Sequence, residues 1–252
     1  MARSKVGVQL LPQHCTSDDL RRAWRAADQM GVDTIWTWDH FYPLYGAADG
    51  PHFEGYSLLA AMACETRTAR FGMMVTCNSY RNPELLADMA RTIDHLSGGR
   101  HILGIGAGWF ERDYAEYGYE FGTEGSRLEA LELALPRIAE RLAKLDPPPI
   151  GDLPLLIGGG GEKVTLRLVA EHADMWNSFG PPTTYRRKNE VLDRWCEEVG
   201  RDPKSIERTV LIEIEDLELV DEYLDAGAEH LILERGTPFD LAPLERLLAA
   251  RA

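Results

Sequence analysis

Short apolar runs alternate along this chain with longer segments whose apolar residues recur three and four positions apart. Such alternation reads as strands buried on both faces, each followed by an amphipathic helix. Residues 70–75 form one such run, which stops in the polar cluster Thr76-Cys77-Asn78-Ser79-Tyr80-Arg81. Asn82 then suits a helix cap and Pro83 the first helical position. Leu85, Leu86, Met89, Ala90, Ile93 and Leu96 follow at helical spacing until Gly98-Gly99 ends the segment.

The same pattern predicts strands at 5–11, 34–38, 70–75, 101–105, 155–157, 175–177, 210–214 and 230–233. Helices are predicted from a Thr16 or Ser17 cap to Met30, then at 56–66, 83–96, 126–145, 162–172, 184–199, 216–226 and 241–250. In the fourth helix Leu128, Leu131, Leu135, Ile138, Leu142 and Leu145 mark a buried stripe, and Pro136 is expected to bend it mildly. The segment from Trp109 to this helix reads as an aromatic and acidic loop. Strict alternation at about 31 residues per unit predicts an α/β fold, a single (β/α)8 TIM barrel domain over residues 1–252. A doubly wound open sheet is the competing fold, and eight regular units with nothing left over favour closure.

Composition narrows the function classes. With 44% apolar and 27% charged residues the chain is ordinary for a globular protein. Its net charge of −14 argues against nucleic acid and against anionic membrane surfaces. No apolar run approaches the roughly 20 residues of a membrane helix. Met1-Ala2-Arg3-Ser4-Lys5 runs directly into a predicted strand, so no signal peptide is expected. Cys15, Cys64, Cys77 and Cys196 lie far apart without zinc-type spacing, so reduced thiols in the cytoplasm and no metal are expected.

A parallel barrel gathers its chemistry where the strands end. Those ends are His14 and Cys15; Trp38-Asp39-His40; Val75-Thr76-Cys77-Asn78; Gly106-Ala107-Gly108-Trp109 with Glu111; the run Gly158-Gly159-Gly160-Gly161; Asn177-Ser178-Phe179; Glu213 and Glu215; and Glu234-Arg235. The mouth is thus aromatic, glycine-rich and sparing in charge, which suits a large flat ligand. The 158–161 run with Glu162-Lys163 is a candidate phosphate site, its amides aimed from a helix start; the alternative is a close-packed turn. It is neither a Walker A loop nor a dinucleotide fingerprint. Gly104-Ile105-Gly106-Ala107-Gly108 reads either as a nucleotide loop or as a strand end whose backbone must approach a ligand or neighbour. His40 is either paired structurally with Asp39 or handles protons. Arg235 either holds an anionic substrate or pairs with Glu234.

These residues together resemble the bacterial luciferase-like flavin and deazaflavin barrels, closest to the actinobacterial branch that uses coenzyme F420. The resemblance runs over nearly the whole chain. It is carried by Trp38-Asp39-His40, the stretch from Val75 to Pro83, Leu96-Ser97-Gly98-Gly99-Arg100, Gly104 to Glu111, Leu156 to Lys163, and Ala173-Asp174-Met175-Trp176-Asn177. It implies F420 in an open cleft, with FMN as the alternative, and hydride transfer at C5 of the deazaflavin. It also implies a non-prolyl cis peptide at Met74-Val75, backing the ring, and a phosphate turn at Gly159, Gly160, Gly161 and Glu162.

The resemblance gives His40 as the catalytic group, with Glu111 as a second candidate. Cofactor contacts are expected from Asp39, Met74, Val75, Thr76, Asn78, Gly106, Ala107, Gly108, Trp109 and Asn177, and substrate contacts from His14, Trp38 and Arg235. Arg81 and Lys163 are the basic residues expected to offset a polyanionic tail. The sugar-phosphate dehydrogenase branch has a glutamate where this chain has Trp109, and Glu111 lies two positions on. The expected activity is F420-dependent oxidoreduction of a small molecule; an FMN-dependent monooxygenase and a non-catalytic flavin or deazaflavin binder are the alternatives. Relatives use their second and third helices as dimer contacts, so a homodimer through Leu58, Leu59, Met62 and Leu86 is expected.

Overall fold

The computed structural model describes residues 3–250. Strand β1 (Lys5–Leu10) pairs in parallel with β2 (Thr34–Thr37) on one side and β9 (His230–Arg235) on the other. From β2 the sheet continues to β3 (Arg70–Met73), and β5 (His101–Gly106) pairs with both β3 and the short β4 (Thr76–Cys77). It then runs through β6 (Leu155–Gly158), β7 (Met175–Ser178) and β8 (Glu207–Ile212) back to β9. Since β3 and β4 share one place in the ring, the parallel sheet is a closed barrel of eight staves, as the alternating pattern predicts.

Alternate side chains of each strand point inward, and they build layers. Trp36, Ile102, Leu156, Met175 and Ile232 form an apolar plug, none more than 5% exposed. On its N-terminal side lies a small polar layer. There Trp36 Nε1 donates to Thr34 Oγ1 at 2.7 Å, and His230 Nε2 lies 2.9 Å from the same oxygen. One pleat toward the C-terminal side are Gln9 and Glu234, register partners on β1 and β9. The outward-facing set, including Val8, Ile35, Phe71, Ile105, Ile157 and Leu233, packs under the helices.

The helices are α1 (Ser17–Met30), α2 (Gly55–Glu65), α3 (Pro83–Ser97), α4 (Glu111–Tyr117), α5 (Glu124–Lys144), α6 (Thr165–His172), α7 (Pro182–Val199), α8 (Val220–Asp225) and α9 (Ala242–Ala250). Thr16 and Asn82 cap α1 and α3 as expected. Several boundaries differ from the sequence reading. The third strand does not run unbroken to residue 75; it stops at Met73, passes the cis Met74-Val75 peptide and resumes at Thr76. The loop expected after Trp109 contains α4. Helix α6 begins at Thr165 rather than 162, so the glycine run does not lead straight into a helix. Strand β8 spans Glu207–Ile212, and Ile214–Leu219 forms a 3₁₀ turn before α8.

The buried face of α3 is rotated from the expected one. Leu86, Ala87, Ala90, Ile93, Asp94 and Ser97 are buried, while Leu85 and Leu96 are about half exposed. Asp94 earns its burial by accepting from the backbone amides of Ile150 and Gly151 at 2.8 and 2.9 Å. Leu58, Leu59, Met62 and Leu86 are each at most 8% exposed and pack within this chain's own core. Among the described residues no helix is long and apolar enough to cross a membrane.

Candidate active site

A cavity of about 590 Å³ opens at the C-terminal ends of the strands, within the range of small-molecule sites. Its first wall is the break between β3 and β4. Gln9 Nε2 donates to Met74 O at 2.8 Å, holding the cis peptide against the interior. A Cβ at Gly106 or Gly158 would come within 2.7 or 2.6 Å of the Val75 methyls, and one at Gly104 would overlap Met73 O. The glycines of β5 therefore answer to a neighbouring backbone and side chain, the second of the two readings for that run. Gly108, at φ +85°, lies against the Tyr114 hydroxyl; Ala107 and Trp109 complete this edge, with Trp109 63% exposed.

The second wall is the glycine run. Gly159, at φ +126°, donates to Asn177 O at 3.0 Å and accepts from Trp176 Nε1 at 2.8 Å. The place of a Cβ at Gly160 is taken by the ammonium of Lys188, from α7, and a Cβ at Gly161 would lie 2.8 Å from Thr165 Oγ1. Each glycine thus has an internal reason, and the cation beside them is Lys188. Burial, followed by Arg187, lowers its pKa. Lys163 is exposed and does not line the cavity, while Glu162 turns outward to pair with Arg187. The expected roles of both in a phosphate turn find no support in this geometry. Asn177 lines the cavity and donates to Thr209 Oγ1 at 2.9 Å.

The third wall holds His40. Its Nδ1 lies 2.8 Å from Asp113 Oδ2, not near Asp39. Asp113 is fully buried and also accepts from Tyr80 Oη at 3.1 Å and from the Phe41 and Tyr42 amides at 3.1 and 3.2 Å. A carboxylate so surrounded by donors keeps the proton on Nδ1, which leaves Nε2 as the imidazole's acceptor. The ring stands edge-on to Trp38, Trp109 and Phe110. Trp38 lines the cavity and donates from Nε1 to His52 Nε2 at 2.9 Å; burial lowers the His52 pKa to about 4, so that nitrogen is free to accept.

Other expected residues do different work. Asp39 borders the cavity, but its oxygens are taken by Arg81 at 2.6 and 2.9 Å and by the Cys77 amide at 3.0 Å. Arg81 is therefore not available to a ligand's phosphates. Thr76 is fully buried with its hydroxyl 2.8 Å from Tyr56 Oη, and Asn78 is buried in the following turn; neither lines the cavity. Glu111 is exposed at the start of α4, whose inward carboxylate is Asp113. His14 Nε2 lies 2.8 Å from Tyr45 O and fastens the β2–α2 loop. Arg235 donates to Asp240 O at 2.9 Å, outside the cavity, and does not pair with Glu234.

The fourth wall holds Glu234, which the sequence reading placed at a strand end without a role, and Gln9, which it passed over. Glu234 lines the cavity on β9, with Gln9 beside it on β1 and Tyr45 from the loop above. Burial, reinforced by Glu213, pushes Glu234 up to about 7. Gln9 Oε1 is buried without a hydrogen-bond partner among the described residues. Arg127, from α5, reaches in to donate to Gly108 O at 3.0 Å. Asp113, Lys188 and Arg127 lie within helices rather than at strand ends, so only the fold brings them here. Gln9 and Glu234 had a usable signal: polar residues at inward positions of otherwise apolar strands.

A parallel barrel with an apolar mouth, bare backbone edges and a lysine beside glycines suits a flat ligand with an anionic group. The chain belongs to the luciferase-like monooxygenase family, whose sequence model matches residues 1–215. It is 27% identical over 220 residues to the 4-hydroxyprotoasukamycin monooxygenase of Streptomyces nodosus subsp. asukaensis, covering 77% of this chain and 58% of that protein. It is 29% identical over 195 residues to the putative coenzyme F420-dependent oxidoreductase Rv3520c of Mycobacterium tuberculosis, covering 67% and 53%. The chain thus spans little more than half the length of these curated relatives. In structure it resembles an F420-dependent secondary alcohol dehydrogenase solved with an F420-acetone adduct, with a TM-score of 0.88 over 99% of both chains. At 16% identity that likeness carries the fold.

Proposed function

We propose that the protein is a coenzyme F420-dependent oxidoreductase that moves a hydride between the deazaflavin and a small organic substrate. The observation that carries this reading is one cavity combining the His40–Asp113 pair with a lysine-bearing glycine edge. Backbone amides at Gly160 and Gly161 with Lys188 would hold the cofactor's phosphate, the Gly159 amide being taken by Asn177 O, and Met74, Val75, Gly106 and Ala107 would flank its ring. When bound, the deazaflavin supplies a two-electron hydride centre at C5. His40 Nε2 accepts or returns the substrate's proton, and Asp113 fixes the tautomer that makes this possible. Trp38, Trp109 and Phe110 pack edge-on against the imidazole and hold its plane.

The choice of F420 over FMN is supported by the similarity to Rv3520c, and the similarity to a monooxygenase keeps an FMN-dependent monooxygenase as the second reading. A fluorescence titration of the purified protein separates them. F420 is expected to bind at least about tenfold more tightly than FMN, a difference of about 1.4 kcal/mol; tighter FMN binding overturns the proposal in favour of the monooxygenase. Binding of F420 with no acceptor able to oxidise the reduced cofactor, and with turnover unchanged at background in His40→Ala, would make the protein a binder without chemistry.

A further inference from the structure

The sign of charge in the substrate half of the cavity is opposite to what an anion-binding arginine would give. Arg235 is turned away to Asp240 O, and its neighbour Glu234 faces the interior instead. Among the described residues Glu234 has no hydrogen bond or ion pair. Three carboxylates border the cavity: Asp39 is neutralised by Arg81, Glu124 is exposed at the rim in the first turn of α5, and Glu234 alone is half-buried without a cation. Gln9, its register partner, is 2% exposed, and its amide orientation is fixed because Nε2 must face the Met74 carbonyl. The remaining Oε1 is an acceptor with nothing to accept from.

A carboxylate without a cation and a carbonyl without a donor, side by side, call for one group that supplies both charge and hydrogens. We propose that Gln9 and Glu234 form a substrate subsite for a protonated amine, so that the substrates of this enzyme carry an ammonium group on a small apolar body. The inference rests on the reading above that this cavity is where substrate meets cofactor. The apolar body would lie against Leu211 and Leu44, which line the same space. The charged or titratable groups nearest Glu234 are Tyr45 on the loop and Glu213 beyond β8; Arg127 stands on the wall formed by α5, and Lys188 lies behind the glycine edge at Gly160. Glu213 adds to the attraction for a cation. Since burial and Glu213 hold Glu234 near pH 7, an arriving ammonium displaces a proton from it.

Benzylamine, benzyl alcohol and benzoate are matched in size and differ in charge, and their binding to the purified protein is read by calorimetry at pH 7. Benzylamine is expected to bind about tenfold or more tightly than the alcohol, with no detectable benzoate binding. Its heat is expected to vary with the ionisation enthalpy of the buffer, because protons are released. Glu234→Gln, which keeps the shape, is expected to cost the amine about tenfold and to leave the alcohol within about twofold. Benzoate binding as tightly as the amine, or an amine affinity untouched by Glu234→Gln, overturns the proposal. F420 binding measured on the same samples keeps the two readings apart. Amine selectivity without F420 binding leaves this subsite standing and removes the cofactor assignment, and the reverse removes only the subsite.

Discussion

Glu207 and Glu234 lie on neighbouring strands at opposite ends of the barrel, and their surroundings push them in opposite directions. At the N-terminal end, Glu207 is 2.8 Å from His230 Nδ1 and accepts from Lys5 Nζ at 2.6 Å. Burial alone would raise its pKa, but the His230 and Lys5 contacts outweigh burial and bring it down to about 2. At the C-terminal end, Glu234 has no such contacts, and burial takes it up to about 7. The same fold therefore can satisfy a half-buried carboxylate. It does so at the end where nothing has to bind, and leaves the carboxylate unsatisfied at the end where a ligand supplies the partner.

The largest effect expected from this contrast is at Glu207. Its folded pKa of about 2 lies below the ordinary 4.5, so its contribution is fully present above pH 4.5 and is lost as pH falls through 2. A shift of that size corresponds to about 3 kcal/mol at neutral pH. Glu207→Ala is expected to lower the urea unfolding free energy by about that amount at pH 7. The gap from the parent protein should narrow between pH 4.5 and 2. A gap that ignores pH would mean that Glu207 matters for packing, and the two ends would then not differ by charge satisfaction.

At Glu234 the sign reverses. A folded pKa of about 7, above the ordinary 4.5, means that the carboxylate costs stability, and this cost grows from pH 4.5 to 7 and is constant beyond. Glu234→Gln is expected to stabilise the protein at pH 8 by about 2 kcal/mol, less than the full shift implies because the mouth admits solvent. Near pH 4 the variant and the parent should unfold alike. If the substitution destabilises the protein at pH 8, Glu234 has a partner that sets it on the same footing as Glu207.

The contrast between the ends also explains what the sequence disclosed. The barrel was legible because β1, β5 and β9 are buried runs and helices such as α1 and α3 carry caps and apolar faces, all of which local pattern decides. Helix α4 was not, since its seven residues include Glu111, Arg112, Asp113 and Glu116, and contacts distant in sequence hold it in place: Asp113 with Phe41 and Tyr80, and buried Tyr114 with Cys77 and Ser79. In the site, strand-end positions were legible by alternation: His40, Trp38, Ala107, Gly159 and Asn177 all line the cavity. Side-chain partners were not, because which of two adjacent residues turns inward depends on where a strand stops. Strand β9 was read as ending at residue 233; two further residues in the strand put Glu234 inside and Arg235 outside. The cations that matter, Lys188 and Arg127, arrive from helices whose faces the strand pattern says nothing about.

A smaller effect tests the contrast within the mouth itself, between the gap at Gly158 filled by Val75 and the gap at Gly160 filled by Lys188. Both spaces exist because the residue there has no Cβ, but an apolar methyl only packs, whereas an ammonium group can meet a phosphate. Lys188→Ala is expected to weaken F420 binding about tenfold, or about 1.4 kcal/mol. The unfolding midpoint should stay unchanged, since the ammonium's nearest polar contact is Ser178 Oγ at 3.4 Å. Parent affinity should fall as salt rises, and the variant's should fall less. Gly160→Ala offers the complementary change, because its new methyl displaces the ammonium while the charge remains on the chain. Equal losses in the two variants mean that the position of the ammonium against the glycine edge is what binds. A loss confined to Lys188→Ala means that its charge acts at a distance, and the bare backbone at 159–161 then serves packing alone.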